Sequence, residues 1–207
     1  RFLAQIREAG QAIVSSLLLR GLTIITVSFS LVDVFKDDFG QLYMLRYFTQ
    51  PEAIGLLWAA FALSWALGSF VAHRLRARLH LLVAASTLPL VAMALFDSWL
   101  GLVFFMLQAV AAGALVNQIE TRIQEATPSA VRASILSVLS SLGRAVAIPG
   151  SLVLGWLIHS RGVMWSVYAI AVLAAATLLF RWWLSRRTGA KEPPKGEAVP
   201  QDEPTLL

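Results

Sequence analysis

The chain has 207 residues, of which 57% are hydrophobic and only 14% charged, with seven Trp and eleven Phe. A water-soluble domain carries about 25% charged and roughly 45 to 50% apolar residues, so this excess, with a mean hydropathy of +0.70, excludes a soluble enzyme fold and makes a lipid bilayer the expected solvent. The net charge of +5 is carried at the ends of apolar runs rather than on one polar face or arm, which argues against a nucleic-acid partner.

A hydrocarbon core about 30 Å thick is crossed by ~20 helical residues, and the apolar region between residues 9 and 184 divides into six such spans. Residues 1–16 read as a lead-in. The first span is placed at about 17–41, where Arg20 snorkels to one surface while Asp33, Lys36, Asp37 and Asp38 lie toward the other. The second, at 53–72, contains no charge. The third (80–97) and fourth (98–119) meet at Asp97-Ser98-Trp99, residues suited to an interface. The fifth, 133–158, is apolar except for Arg144, and the sixth, 162–180, runs into Arg181-Trp182-Trp183, an aromatic and basic anchor. Residues 185–207 hold four Pro (193, 194, 200, 204), mixed charges and no aromatic residue, the composition of a disordered tail.

Six spans put both termini on one side. Thirteen basic residues fall on that side (Arg1, 7, 20, 74, 76, 78, 122, 132, 181, 186 and 187, with Lys191 and 195), against Lys36, Arg46 and Arg161 on the other. By the positive-inside rule both termini are expected to be cytoplasmic, in a plasma or inner membrane. The chain begins with Arg1 and runs into a span without a signal peptide, so it reads as part of a longer protein. Cysteine is absent, which removes disulfides, thiolate metal sites and a Cys nucleophile. The three histidines sit at span ends with no pairing suited to metal, and no cofactor is expected. There is no G-x-S-x-G elbow and no phosphate-binding Gly-Lys-Ser/Thr loop, so any uphill transport would draw on an ion gradient.

Two segments carry a family resemblance. Gly68-Ser-Phe-Val-Ala72-His-Arg74-Leu-Arg76-Ala-Arg78 closes the second span with small residues and a basic turn. It resembles the degenerate second copy of the signature loop of the major facilitator superfamily, with Gly68, Ala72, Arg74 and Arg78 matching, His73 at the acidic position and Arg76 at the second Gly. The run Glu125-Ala-Thr127-Pro128-Ser129-Ala-Val-Arg132, followed by Ser137, Gly143-Arg144, Pro149-Gly150 and Gly155-Trp156, resembles the link between the family's tenth and eleventh helices; Thr127 reads as N-cap with Pro128 at the first helical position. Gly162 after His159-Ser-Arg161 is similar to the short turn before the last span.

The resemblance covers about residues 10 to 184. It implies an all-α membrane protein, a six-transmembrane-helix bundle forming the carboxy-terminal half of a twelve-span secondary transporter. The implied activity is proton-coupled transport by alternating access, with an amino-terminal six-span half, a small-molecule solute and protons as partners. In that reading the first and fourth spans face the central cavity, offering Asp33, Lys36, Asp37 and Gln41 from one and Asn117 and Gln118 from the other.

The residues themselves support a polar face. Phe29, Asp33, Asp37 and Gln41 recur every four residues, and Lys36 is three positions from Asp33. Ionisable groups inside a bilayer usually face a cavity or a partner, and desolvation raises a carboxylate's pKa, as proton coupling requires; Asp37 and Asp38 equally suit solvated headgroup positions. Arg144, deep in the fifth span, reads either as a substrate contact or as a structural latch pairing with Glu120 or another acid. Gly68, Arg74, Arg78, Glu120, Arg132, Arg144, Pro149 and Gly150 form the gating or structural set. Small residues spaced by four, Ser64 and Gly68, Ala109 and Gly113, Ser151 and Gly155, allow close helix approach, and Pro149-Gly150 should bend the fifth span. The rival reading is a non-transporting six-span scaffold or assembly subunit. It would bury Asp33 against a fixed partner such as Arg144, whereas a transporter half leaves Asp33 connected to solvent.

Overall fold

A computed structural model describes residues 2–74, 79–127 and 129–188. Of the tail expected at 185–207, residues 185–188 are helical, and the rest, together with Arg76, Arg78 and Pro128, lies outside the described residues. Their regular structure is entirely helical: α1 (Phe2–Ser15), α2 (Leu17–Val34), a π-helical turn at Phe35–Phe39, α3 (Gly40–Met44), α4 (Pro51–Ala72), α5 (Leu79–Leu95), α6 (Leu100–Glu125), α7 (Ser129–Arg161) and α8 (Val163–Thr188). Five segments are long and apolar enough to cross a membrane, Leu17–Met44, Pro51–Ala72, Leu100–Glu125, Val131–Arg161 and Val163–Trp183, and the shorter apolar helix Leu79–Leu95 completes an all-α membrane bundle.

Local chemistry sets the breaks. Ser16 leaves helical geometry (φ −96°, ψ 118°) and its side chain accepts from the Leu19 N–H, so a new helix starts there. Pro51 opens α4 with Glu52 in its first turn, where a missing N–H is harmless and a negative charge suits the helix dipole. Gly162 sits at φ +91°, a conformation open to glycine at little cost, and this residue alone separates α7 from α8. Thr127 differs from its expected capping role: its hydroxyl is buried without a hydrogen-bond partner, and its carbonyl instead accepts from the Arg132 guanidinium at 3.4 Å.

The helices outrun the uncharged segments. α6 continues past Glu120 and Arg122 to Glu125, because long charged side chains at a span end reach the headgroups while the backbone stays helical. α7, with 33 residues, is about 50 Å long and continues without interruption through Pro149. The region read as a lead-in carries α1, whose Ala9 and Ile13 are buried as it packs on α2 and α7.

Helix α6 is central, packing on α4 and α5, while α5 also packs on α8, and α2 packs on α7 and α8. The α4–α6 seam uses the expected small residues: a Cβ on Gly68 would run into the Val110 backbone carbonyl, and one on Gly113 into the Trp65 carbonyl. Gly143 and Gly150 play the same part between α7 and α2, meeting Ser30 and Leu31. Just after α3, Arg46 Nη2 lies 2.9 Å from Asp97 Oδ1 and Tyr47 donates to the same carboxylate at 3.3 Å. Burial raises the Tyr47 phenol above its ordinary pKa, so it stays a donor at neutral pH. This half-exposed ion pair ties the chain after α3 to the α5–α6 turn, and Asp97→Asn is expected to lower stability by less than about 1 kcal/mol, checked by thermal unfolding in detergent.

Candidate functional site

The π-helical turn determines which α2 side chains meet. Its wider turn carries Lys36, Asp37 and Asp38 and shifts the helical register after Val34, a feature frequent at functional sites. The four-residue face expected for Phe29, Asp33, Asp37 and Gln41 is therefore divided. Phe29 is buried in the core. Asp33 and Asp37 line an open cleft of about 340 Å³ between α2 and α7, and Gln41 is exposed and is not among the cleft's lining residues.

Lys36 is 7% exposed. Its ammonium lies 2.8 Å from Asp33 Oδ1, 3.5 Å from Asp37 Oδ1 and 4.0 Å from the centre of the Trp65 ring on α4. Two carboxylates and an aromatic face thus offset the desolvation of one buried cation. Asp33 keeps 40% of its side chain exposed and Asp37 63%, both toward the cleft. Asp38 also lines it and accepts from Ser151 Oγ at 3.4 Å.

Helix α7 supplies the facing wall with Leu139, Ser140, Gly143, Arg144 and Ala147. Arg144 thus belongs to the cleft. Among the described residues it pairs with no carboxylate, Glu120 included. Thr26 and Ser30 complete the α2 wall, each hydroxyl donating one turn back, to Leu22 O at 2.9 Å and Thr26 O at 3.0 Å.

The fourth-span residues are elsewhere. Asn117 donates to Gly113 O at 2.9 Å within α6, and Gln118 donates to Ala72 O at 2.8 Å, joining α6 to the end of α4. Neither lines the α2–α7 cleft. Glu120 is exposed, and Arg74 is exposed with its guanidinium 5.8 Å from the Phe70 ring. Pro149 is exposed on α7, beside Gly150. Sequence reasoning missed Trp65, 29 positions from Lys36 and without any linear signal, and Ser140, which four-residue spacing from Arg144 could have flagged. It also passed over Gln108, a mid-span amide buried with neither side-chain polar atom bonded.

The absence of cysteine allows a direct test of the cleft. Single replacements Ser30→Cys and Ser140→Cys are expected to react with a membrane-impermeant thiol reagent from one side, and Ser86→Cys, at a fully buried position, to stay unlabelled. Equal protection at all three positions would show that the cleft is closed to water.

The family model of the Major Facilitator Superfamily matches residues 13–205, nearly the whole chain, and the chain belongs to that family. It is a transporter of the major facilitator type and an integral, multi-pass membrane protein. Searches of curated proteins and of solved structures gave no match.

Proposed function

We propose that this chain is the carboxy-terminal half of a proton-coupled secondary transporter that moves a small solute by alternating access, with the α2–α7 cleft on its pathway. The observation that carries the reading is the Asp33–Lys36–Asp37 set: ionisable groups held within the first span, with both carboxylates open to a cleft. Charges at such depth are retained where they face a pathway or a partner. Asp33 lines the open cleft and is bonded to its near neighbour Lys36 rather than to Arg144, which supports transport over the fixed scaffold.

Burial supports a missing half. Only 11% of the apolar stretch is buried in α4 and in α7, against 50% in α6. In our reading the amino-terminal six spans pack on those two helices and complete the cavity, and the distribution of basic residues supports cytoplasmic termini. Protonation of Asp33 or Asp37 would weaken the hold on Lys36 and redistribute charge around the π-helical turn, which couples proton occupancy to helix register.

The test is solute flux in vesicles containing the twelve-span parent, with and without an imposed proton gradient, for wild type and Asp33→Asn. Gradient-driven flux that falls at least tenfold in the variant is the expected result. Persistent driven flux in Asp33→Asn removes Asp33 from the coupling site, and flux indifferent to the gradient removes the proton.

A further inference from the structure

The transporter reading leaves the solute's chemistry open, and the charges of the cleft narrow it. Lys36 is already committed, buried between Asp33, Asp37 and Trp65, so the cation available to a ligand is Arg144 on the opposite wall. Of the carboxylates, Asp33 is matched by Lys36 at 2.8 Å. Asp37 holds the longer 3.5 Å contact, and Asp38 has the Ser151 hydroxyl at 3.4 Å. The free charges are therefore negative on the α2 side and positive on the α7 side, and among the described residues no ion pair joins the two sets.

The Thr26 and Ser30 hydroxyls spend their protons on backbone carbonyls, and Ser30 lies against Gly143, beside Arg144 rather than Asp38. Ser140 makes no hydrogen bond among the described residues and lies one turn from Arg144 on the same face of α7. Its hydroxyl and the guanidinium together can donate to a carboxylate, and charge-assisted bonds of this kind are the strong ones.

We propose that the α2–α7 cleft binds a small zwitterion, with its cationic group at Asp37 and Asp38 and its anionic group at Arg144 and Ser140. This rests on the transporter reading and specifies its solute. A simple anion entering the cleft would leave Asp37 and Asp38 desolvated with only the 3.5 Å Lys36 contact and the Ser151 hydroxyl between them, and a simple cation would leave Arg144 desolvated without a carboxylate; both are costly. A zwitterion offers a partner to each and adds no net charge. Spacing sets its length: Asp38 is level with Ser151, seven residues beyond Arg144, or about 10 Å of helix rise. Side-chain reach shortens that gap, so the ligand's charges are separated by several bonds rather than sharing one carbon. A volume of about 340 Å³ lies at the small end of ligand sites.

Binding to the purified twelve-span parent would be measured by calorimetry with 6-aminohexanoate, hexanoate and hexylamine, and repeated with 4-aminobutanoate. The expected result is that at least one zwitterion binds tenfold or more tightly than either single-charge analogue. Arg144→Gln should bring the zwitterion's affinity down to that of hexylamine, and Asp37→Asn should weaken zwitterion and amine together. Ser140→Ala, a smaller change at an exposed helix position, should weaken the zwitterion and leave hexylamine unchanged; this loss cannot come from unfolding. A single-charge analogue that binds as tightly as the zwitterions, or a protein that binds neither zwitterion, overturns the proposal. Flux of any other solute in the vesicle assay would leave the transporter reading standing while this one falls.

Discussion

Replacing Gly68 by alanine is expected to destabilise the bundle by about 3 kcal/mol, the upper part of the range for overpacking a core. The added methyl would meet the carbonyl and Cα of Val110, which belong to a helix backbone and cannot rotate away. α4 and α6 would have to separate along their length, and with them the reciprocal contact of Gly113 against Trp65. Trp65 also covers the Lys36 ammonium, so the damage reaches the candidate site. Gly55 provides the control in the same helix, because a Cβ there meets nothing within 4 Å. Gly55→Ala should be neutral or gain up to about 1 kcal/mol, the usual penalty of glycine in a helix. The readout is the temperature at which the detergent-solubilised protein loses its monodisperse peak. Equal melting of the two variants would mean that the α4–α6 seam is looser than described.

The second large effect concerns the buried cation. Asp33→Asn leaves Lys36 with only the 3.5 Å contact to Asp37 and the Trp65 face. Removing one partner of a buried pair costs about 3 to 5 kcal/mol, and the 40% exposure of the Asp33 side chain reduces this to about 2 kcal/mol here. Lys36→Met should cost a similar amount, since it leaves two carboxylates side by side. The double variant Asp33→Asn/Lys36→Met should recover more than half of the summed loss, because it removes both charges while preserving volume. Thermal unfolding of the four proteins closes the cycle; additive losses would show that the pair contributes nothing as a pair. Flux separates structure from function, since a recovered fold with gradient-driven transport still absent places Asp33 and Lys36 in the pathway, whereas recovered transport assigns them to packing alone.

Much of the architecture was legible in the linear chain. Uncharged stretches fall within α4, α5, α6 and α8, whereas α2 and α7 had to be read through Arg20 and Arg144, and Gly162 marked the sharp turn that its positive φ now explains. Ser64-Gly68 and Ala109-Gly113 announced close packing without naming each other as partners. Span ends were less legible: hydropathy stops at the first charge, and a helix does not, as Glu120 and Arg122 within α6 show. Thr127 fitted a capping pattern that its buried, unbonded hydroxyl does not fulfil.

The site was half legible. The polar residues of the first span were visible as charges that a bilayer would otherwise exclude, but their grouping depended on the π-helical turn, which no local composition announced and which carries Gln41 away from Asp33 and Asp37. The sequence by itself determined that this is a membrane bundle, because bilayer thickness and the backbone's need for internal hydrogen bonds translate directly into apolar length, and the loop segments around Gly68–Arg78 and Glu125–Arg132 carried its resemblance to the major facilitator superfamily. Only the tertiary structure decided that Asp37 and Arg144 line one cleft and that Trp65 covers Lys36. Those meetings arise from helix rotation and close approach at Gly143 and Gly68, which side-chain packing between distant segments determines and a one-dimensional pattern does not record.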